Sequence, residues 1–232
     1  MEECIRRGEA HHIELRYNSN GLELPPQLFE LWTHFKRVRF HFSLDSVGEM
    51  NRYIRFPSDF AQVERNLELL DATGPHVEVT LACAVQILNI YYLPELIRWK
   101  LARRFKKINA WPLGAGLVNF HLVYHPAFLN VKVLPAAMKQ EIRARYEEFY
   151  AWLKVNHSSD PAFLASAYGI KRLEGLVRFM ESEDWSVRMP EFQEYIRLVD
   201  QQRQTSFHAT FPEMAHLVPP HESRAFSENC AT

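Results

Sequence analysis

HFSLDSVGEMNRYIR, residues 41–55, is the stretch on which the fold turns. Together with the residues just before it, the segment alternates. Val38, Phe40, Phe42 and Leu44 are apolar, whereas Arg37, Arg39, His41, Ser43 and Asp45 are polar. A period of two predicts a strand with one apolar and one polar face. The alternation breaks at Ser46–Gly48, and the chain continues as a loop through Asn51, Arg52, Tyr53 and Arg55 to Pro57. A strand that ends in a hydroxyl and a carboxylate, followed by hydrogen-bonding residues, is how an α/β protein builds one wall of a ligand site.

Upstream, residues 9–18 predict a first strand, with Ile13, Leu15 and Tyr17 on one face and Glu14, Arg16 and Asn18 on the other. Asn18-Ser19-Asn20-Gly21 is turn chemistry, because Asn and Gly tolerate positive φ. Pro25 and Pro26 open a helix through Phe35, since proline suits a first helical turn. Downstream, Ser58 is placed to cap a helix over 59–71 whose Phe60, Val63, Leu67 and Leu70 share a side. Residues 76–86 predict a third strand, 94–107 a helix ending in the basic run 103–107, and 117–124 a fourth strand before Pro126. Beyond Pro135 the pattern is helical, over about 135–154, 161–180 and 191–202. These boundaries give three parts: 1–131 with the strands, 132–217 as a helical region, and 218–232 as a disordered tail.

The chain has 232 residues, 47% of them hydrophobic, enough to bury a substantial core. Its net charge of -1 offers no overall positive field for nucleic acid. No run approaches the roughly 18 consecutive apolar residues of a membrane span. Cys4, Cys83 and Cys230 are sparse and odd in number, so they form no disulfide framework and point to a reducing cytoplasm.

Strands and helices in alternation predict an α/β fold with a parallel sheet. Each strand keeps one polar or small face: Glu14, Arg16 and Asn18; Arg39, His41, Ser43 and Asp45; Glu78, Thr80 and Gln86; Asn119, His121 and His125. A sheet covered on both faces would read as continuous apolar runs instead. The polar faces therefore converge on a shared interior, as in an incomplete (β/α) partial barrel around a ligand cavity. Four strands do not close a barrel, which leaves the 13–17 strand with an unpaired edge open to self-association.

RYNSNGLELP, LWTHFKRVRFHFSLDSVGEMNRYIRFPSDF, VTLACAVQILNIYYLPELIRW and the later YIRLVDQQRQTSFHATFPEMA resemble, in that order, the radical S-adenosylmethionine (SAM) superfamily, most closely its members with a twitch-type auxiliary cluster domain. The family's "TNG" corresponds to Ser19-Asn20-Gly21, and its "SLDG…YIR" to Ser43-Leu44-Asp45-Ser46 and Tyr53-Ile54-Arg55. The resemblance covers residues 3–217 and implies the later strands of a (β/α)6 barrel. It further implies SAM and a [4Fe-4S] cluster as cofactors, and radical modification of a peptide or small-molecule substrate in the parent protein. The family holds its cluster on a CxxxCxxC loop and grips SAM with a GGE motif; neither occurs in this chain. The chain therefore looks like the part after the second strand, with Met1 at an internal or truncated position, and is expected to be inactive alone.

The resemblance places Ser43 and Arg55 on the SAM ribose and carboxylate, with Asn20 and Asn89 as further SAM contacts; strand alternation puts Asp45 and His41 at the rim of the same site. Without it, Ser43 caps a turn and Arg55 pairs with Asp45 or Glu49. A non-catalytic interaction module that kept the half-barrel is the alternative function. A metal-dependent hydrolase using His41, His121 and His125 is the third, although no carboxylate–histidine signature accompanies them.

Overall fold

The computed structural model describes residues 1–108, 118–157 and 167–219, with 167–169 described by their backbone alone. Four strands, β1 (Glu14–Ser19), β2 (Arg37–Ser43), β3 (Val77–Val85) and β4 (Asn119–Leu122), form one parallel sheet in the order β1-β2-β3-β4. The protein is thus a mixed α/β fold. A short α1 (Glu2–Arg6) precedes the sheet; α2 (Pro26–Trp32), α3 (Gly48–Ile54), α4 (Phe60–Asp71) and α5 (Leu93–Ala102) lie between strands. The chain ends in α6 (Ala136–His157), α7 (Ala167–Glu181), α8 (Met189–Arg203), α9 (Phe207–Thr210) and a 3-10 turn over Pro212–Leu217.

The alternation in β2 and β3 sets the layers. Val38, Phe40, Phe42, Val77, Val79, Leu81, Cys83 and Val85 are all buried, while their polar neighbours are half-buried. Trp32 of α2 packs on Tyr17 and Phe40, at ring separations of 5.5 and 6.0 Å, so α2 sits on the apolar face. The opposite face is open: Arg16, Asn18 and His121 are exposed, and Arg39, His41, Ser43, Thr80, Ala82, Ala84 and Asn119 half-buried.

The C-terminal helices share this core. Tyr53 of α3 donates to Asp200 Oδ1 at 2.9 Å, Tyr92 donates to Glu213 at 2.7 Å, and Arg203 Nη1 donates to the Tyr53 carbonyl at 3.1 Å. Phe207 and Phe211 pack on Tyr53, and Tyr146 of α6 donates to Ile90 O at 2.8 Å. Tyr146 and Phe149 are buried packing residues of α6.

Several boundaries differ from expectation, each for a physical reason. Residues 48–54 are a helix rather than a loop: Val47, Met50, Tyr53 and Ile54 turn toward the core at helical spacing. Asp59, not Ser58, caps α4, its carboxylate accepting from Ala61 N at 3.0 Å, while Ser58 Oγ accepts from Asn51 Nδ2 at 3.3 Å. Residues 10–12 are a 3-10 turn, so β1 starts at Glu14. The helix expected to reach 107 stops at Ala102, because Asp71 accepts from the amides of Lys106, Lys107 and Ile108 at 2.7–2.9 Å. Val218, expected in the disordered tail, is a buried core residue. The expected start of the fourth strand at 117, the helix start at 161 and residues 220–232 lie outside the described residues. Among those described, no helix is long and apolar enough to cross a membrane.

Candidate functional site

The open face of the sheet divides into two halves along the strands. At the strand starts, Arg16 pairs with Glu14 at 2.9 Å, Arg39 bridges Glu14 and Glu78 at 3.2 and 3.1 Å, and Arg37 lies 3.5 Å from Glu78. Toward the strand ends, charge gives way to neutral hydrogen-bonding groups. The register aligns Asn18 with His41 and Thr80, then Ser43 with Ala82 and Asn119, then Ala84 with His121. His41 Nδ1 lies 2.7 Å from Thr80 Oγ1. Burial, and then the nearby Arg16, Arg39 and His121, hold the His41 imidazole below its ordinary pKa, which favours its neutral form. Ala82 and Ala84 leave the floor between β2 and β4 shallow.

A buried polar cluster fixes the C-terminal ends of β2 and β3. Asp45 Oδ1 accepts from Ala84 N at 2.7 Å, and Arg55 Nε sits 2.8 Å from Asp45 Oδ2. Asn51, reaching back from α3, accepts from Asp45 N and Ser46 N at 3.2 and 3.4 Å. Asn89 donates to the carbonyls of Asp45 and Ala84 at 3.0 and 2.9 Å and accepts from Gln86 N at 2.8 Å. Burial raises the Asp45 pKa, and the Arg55 guanidinium and the Ala84 amide work against it.

The expected site residues fare differently in this frame. Ser43 is on the open face, half-buried, between His41 and the Asp45 cluster. Arg55 returns over the same rim, carried by two turns of helix rather than by a flexible loop, and it pairs with Asp45. The ion pair uses Nε, and the side chain keeps 25% of its surface exposed. Asn20 is exposed in the turn after β1, with its Oδ1 accepting from Leu22 N at 3.3 Å. Asn89 does not line the face: it is fully buried, and backbone groups take up its amide. Asp45 is likewise buried at 3% and belongs to the support rather than to the open rim, whereas His41 lies on the face. Asn51 was not anticipated. An Asn next to Met50 and two residues before Tyr53, at helical spacing, was the available signal, and reading 46–55 as a loop concealed it.

Among the described residues, histidines and cysteines do not assemble. β4 ends at Leu122, so His125 is beyond the strand and does not share its face with His121. Among the described residues, no three His, Cys, Asp or Glu side chains come together as a metal site. Cys83 is fully buried on the apolar face, where burial pushes its thiol pKa up, and Cys4 lies in α1. A [4Fe-4S] cluster needs several converging thiolates, and these two do not fit one. Among the described residues, a cleft of about 820 Å³ lies between Leu22 and residues 49–62, another of about 480 Å³ between β4 and α7, and another of about 450 Å³ along α8. Neither Ser43 nor Arg55 lines any of them. Comparison of the chain with known protein families, curated proteins and solved structures finds no match.

Proposed function

We propose that the open face of the sheet is the ligand wall of a radical-SAM-type partial barrel, and that it binds S-adenosylmethionine without cleaving it in this chain alone. The observation that carries this reading is the winding. The strands run β1-β2-β3-β4 in chain order, with one face buried and the other polar and open. A doubly wound sheet reverses its strand order at a switch point, whereas the successive strands of a barrel arc lie side by side in chain order. The residue pattern from Ser43 to Arg55 supports the choice of ligand.

In this reading Ser43 donates its hydroxyl to, or accepts from, a ribose hydroxyl. The two terminal nitrogens of Arg55 form a planar fork for a carboxylate, while Nε stays on Asp45. His41, neutral and held by Thr80, adds a hydrogen-bonding group without a positive charge to repel the sulfonium. The parent activity, radical modification of a peptide or small molecule, would require a cluster site that the residues of this chain do not make.

Calorimetric titration of SAM into the wild type and Arg55→Lys tests this. Lysine keeps a cation beside Asp45 but cannot offer two parallel donors. The expected loss is about 1.5–3 kcal/mol of binding, tenfold or more in affinity. Equal affinity of both proteins, or no heat from the wild type, overturns the reading. A stable cluster with release of 5′-deoxyadenosine after anaerobic iron and sulfide treatment overturns its second half.

A further inference from the structure

The near edge of the sheet has a chemistry that matches it to itself. Among the described residues β1 is hydrogen-bonded to β2 alone. Ile13 O accepts from Lys36 N at 3.1 Å, so Ile13, Leu15 and Tyr17 turn their peptide groups toward β2. Those of Glu14 and Arg16 consequently face outward, and a sheet edge of this kind is a template for another extended segment. The side chains are also uncovered there. Arg16 is exposed, and Ile13, Leu15 and Tyr17, which share the parity of the apolar face, are only half-buried.

Charge decides which segment fits. Glu14 and Arg16 stand two residues apart at the strand start, where Arg16 pairs with Glu14 at 2.9 Å and Arg39 with Glu14 at 3.2 Å. The register opposes Glu14 to Arg37, six residues before Ser43, so this edge is remote from the hydroxyl and the guanidinium assigned to the ligand. Arginine is charged throughout the ordinary pH range. The hydrogen bond from Arg16, ahead of the other nearby arginines, holds the Glu14 carboxyl below its ordinary pKa. An acidic and a basic residue spaced in this way are complementary to the same pair run backwards.

Two copies that meet edge to edge about a two-fold axis perpendicular to the sheet align their β1 strands antiparallel, with like faces on the same side. An axis at Glu14 sets Glu14 opposite Glu14, one at Arg16 sets Arg16 opposite Arg16, and one at Tyr17 leaves Arg16 opposite Asn18. An axis at Leu15 sets Glu14 opposite Arg16 on both sides of it, and Ile13 opposite Tyr17 on the apolar face. Opposite charges and β-branched–aromatic pairs across strands favour pairing, whereas like charges directly opposite disfavour it. We infer that β1 is a homodimer strand: it pairs antiparallel with β1 of a second copy of this chain, centred on Leu15, and joins the two sheets into one. Main-chain bonds exchanged between Glu14 of one copy and Arg16 of the other give affinity, and the crossed ion pairs fix the register. The 3-10 turn at Ala10–His12 ends the pairing beyond Ile13.

Sedimentation velocity on two charge reversals, Glu14→Arg and Arg16→Glu, alone and mixed, tests the pairing. Each variant alone opposes like charges and should dimerise at least tenfold more weakly than the wild type. Mixed in equal amounts, the two restore opposite charges at both positions and should dimerise again. Cysteine cross-linking reads the register independently, in a Cys4→Ser, Cys230→Ser background. Leu15→Cys puts two thiols across the axis in a non-hydrogen-bonded pair, with Cα atoms about 4.5 Å apart and within disulfide reach. Asn18→Cys is on a more exposed residue but holds its thiols far apart, so Leu15→Cys should cross-link and Asn18→Cys should not. A wild type or a mixture that stays monomeric, full dimerisation of either reversal alone, or cross-linking of Asn18→Cys as readily as Leu15→Cys would each overturn the proposal. SAM does not enter these measurements, so either reading can fail without the other.

Discussion

At Asp45 a carboxylate almost out of contact with water is held by one amide and one guanidinium, and its pKa lies above the ordinary 3.8 because desolvation outweighs both. Such a group binds its proton more readily folded than unfolded. Its contribution to stability is therefore most favourable in acid, and falls as pH climbs from the ordinary carboxylate value through the raised one. Urea denaturation of the wild type and Asp45→Asn across that window should show the wild type losing ground to the variant as pH rises. A gap that moves in the wild type's favour would mean the Arg55 pair, not burial, dominates. Asn89 makes the same point without charge. Its side chain closes the bonds of three backbone groups, each of which would cost roughly 1–3 kcal/mol if left buried and unpaired. Both Asn89 and Asp45 have the residue types of a binding site, and from sequence alone a buried organiser and a ligand contact look alike. Ser43 was legible because strand parity, not residue type, put it on the open face.

Among the elements, β2 is central. Its apolar residues Val38, Phe40 and Phe42, and Leu44 just after it, are buried at 2% or less. Phe42 also lies under the turn after β1, where Gly21 takes φ +62 and a β-carbon would come within 2.1 Å of the Phe42 ring. Glycine meets both demands there, the positive φ and the close approach. Phe42→Ala should lower stability by about 3–5 kcal/mol, as truncating a buried aromatic does, while leaving SAM affinity of the folded fraction near wild type. Thermal melts and denaturant titration measure the first effect; a loss below 1 kcal/mol would show that the ring is not a core residue. The strands, α4 and the long α6 followed from periods of two and of three to four. The helix α3 did not. Its seven residues carry a helical stripe, but Gly48 and a run of polar side chains resemble a loop, and only packing of Met50, Tyr53 and Ile54 decides between them. The end of α5 was equally hidden, because Asp71, about thirty residues earlier in the chain, supplies the acceptors that stop it.

Over the whole molecule, one core joins the sheet to the C-terminal helices, and the sheet stays open on its polar face and, among the described residues, at both edges. That asymmetry was legible from alternating polar faces; the curvature of the sheet was not, since it is not written in a period of two. Along β1, Ile13 O accepts from Lys36 N, so Glu14, Arg16 and Asn18 turn their peptide groups to the free edge. Light scattering after size exclusion should show mass rising with concentration, and Arg16→Pro should suppress the rise by removing an outward donor without touching the β1–β2 ladder. A monomer of constant mass in both proteins would mean that this edge is not available for pairing. The central claim, that the open face is the ligand wall, is tested most directly by amide chemical-shift mapping during a SAM titration. Shifts should concentrate at Ser43, Thr80, Ala82, Ala84 and Asn119 and saturate together with one affinity. Shifts confined to the cleft between Leu22 and Phe60, or none at saturating SAM, would contradict it.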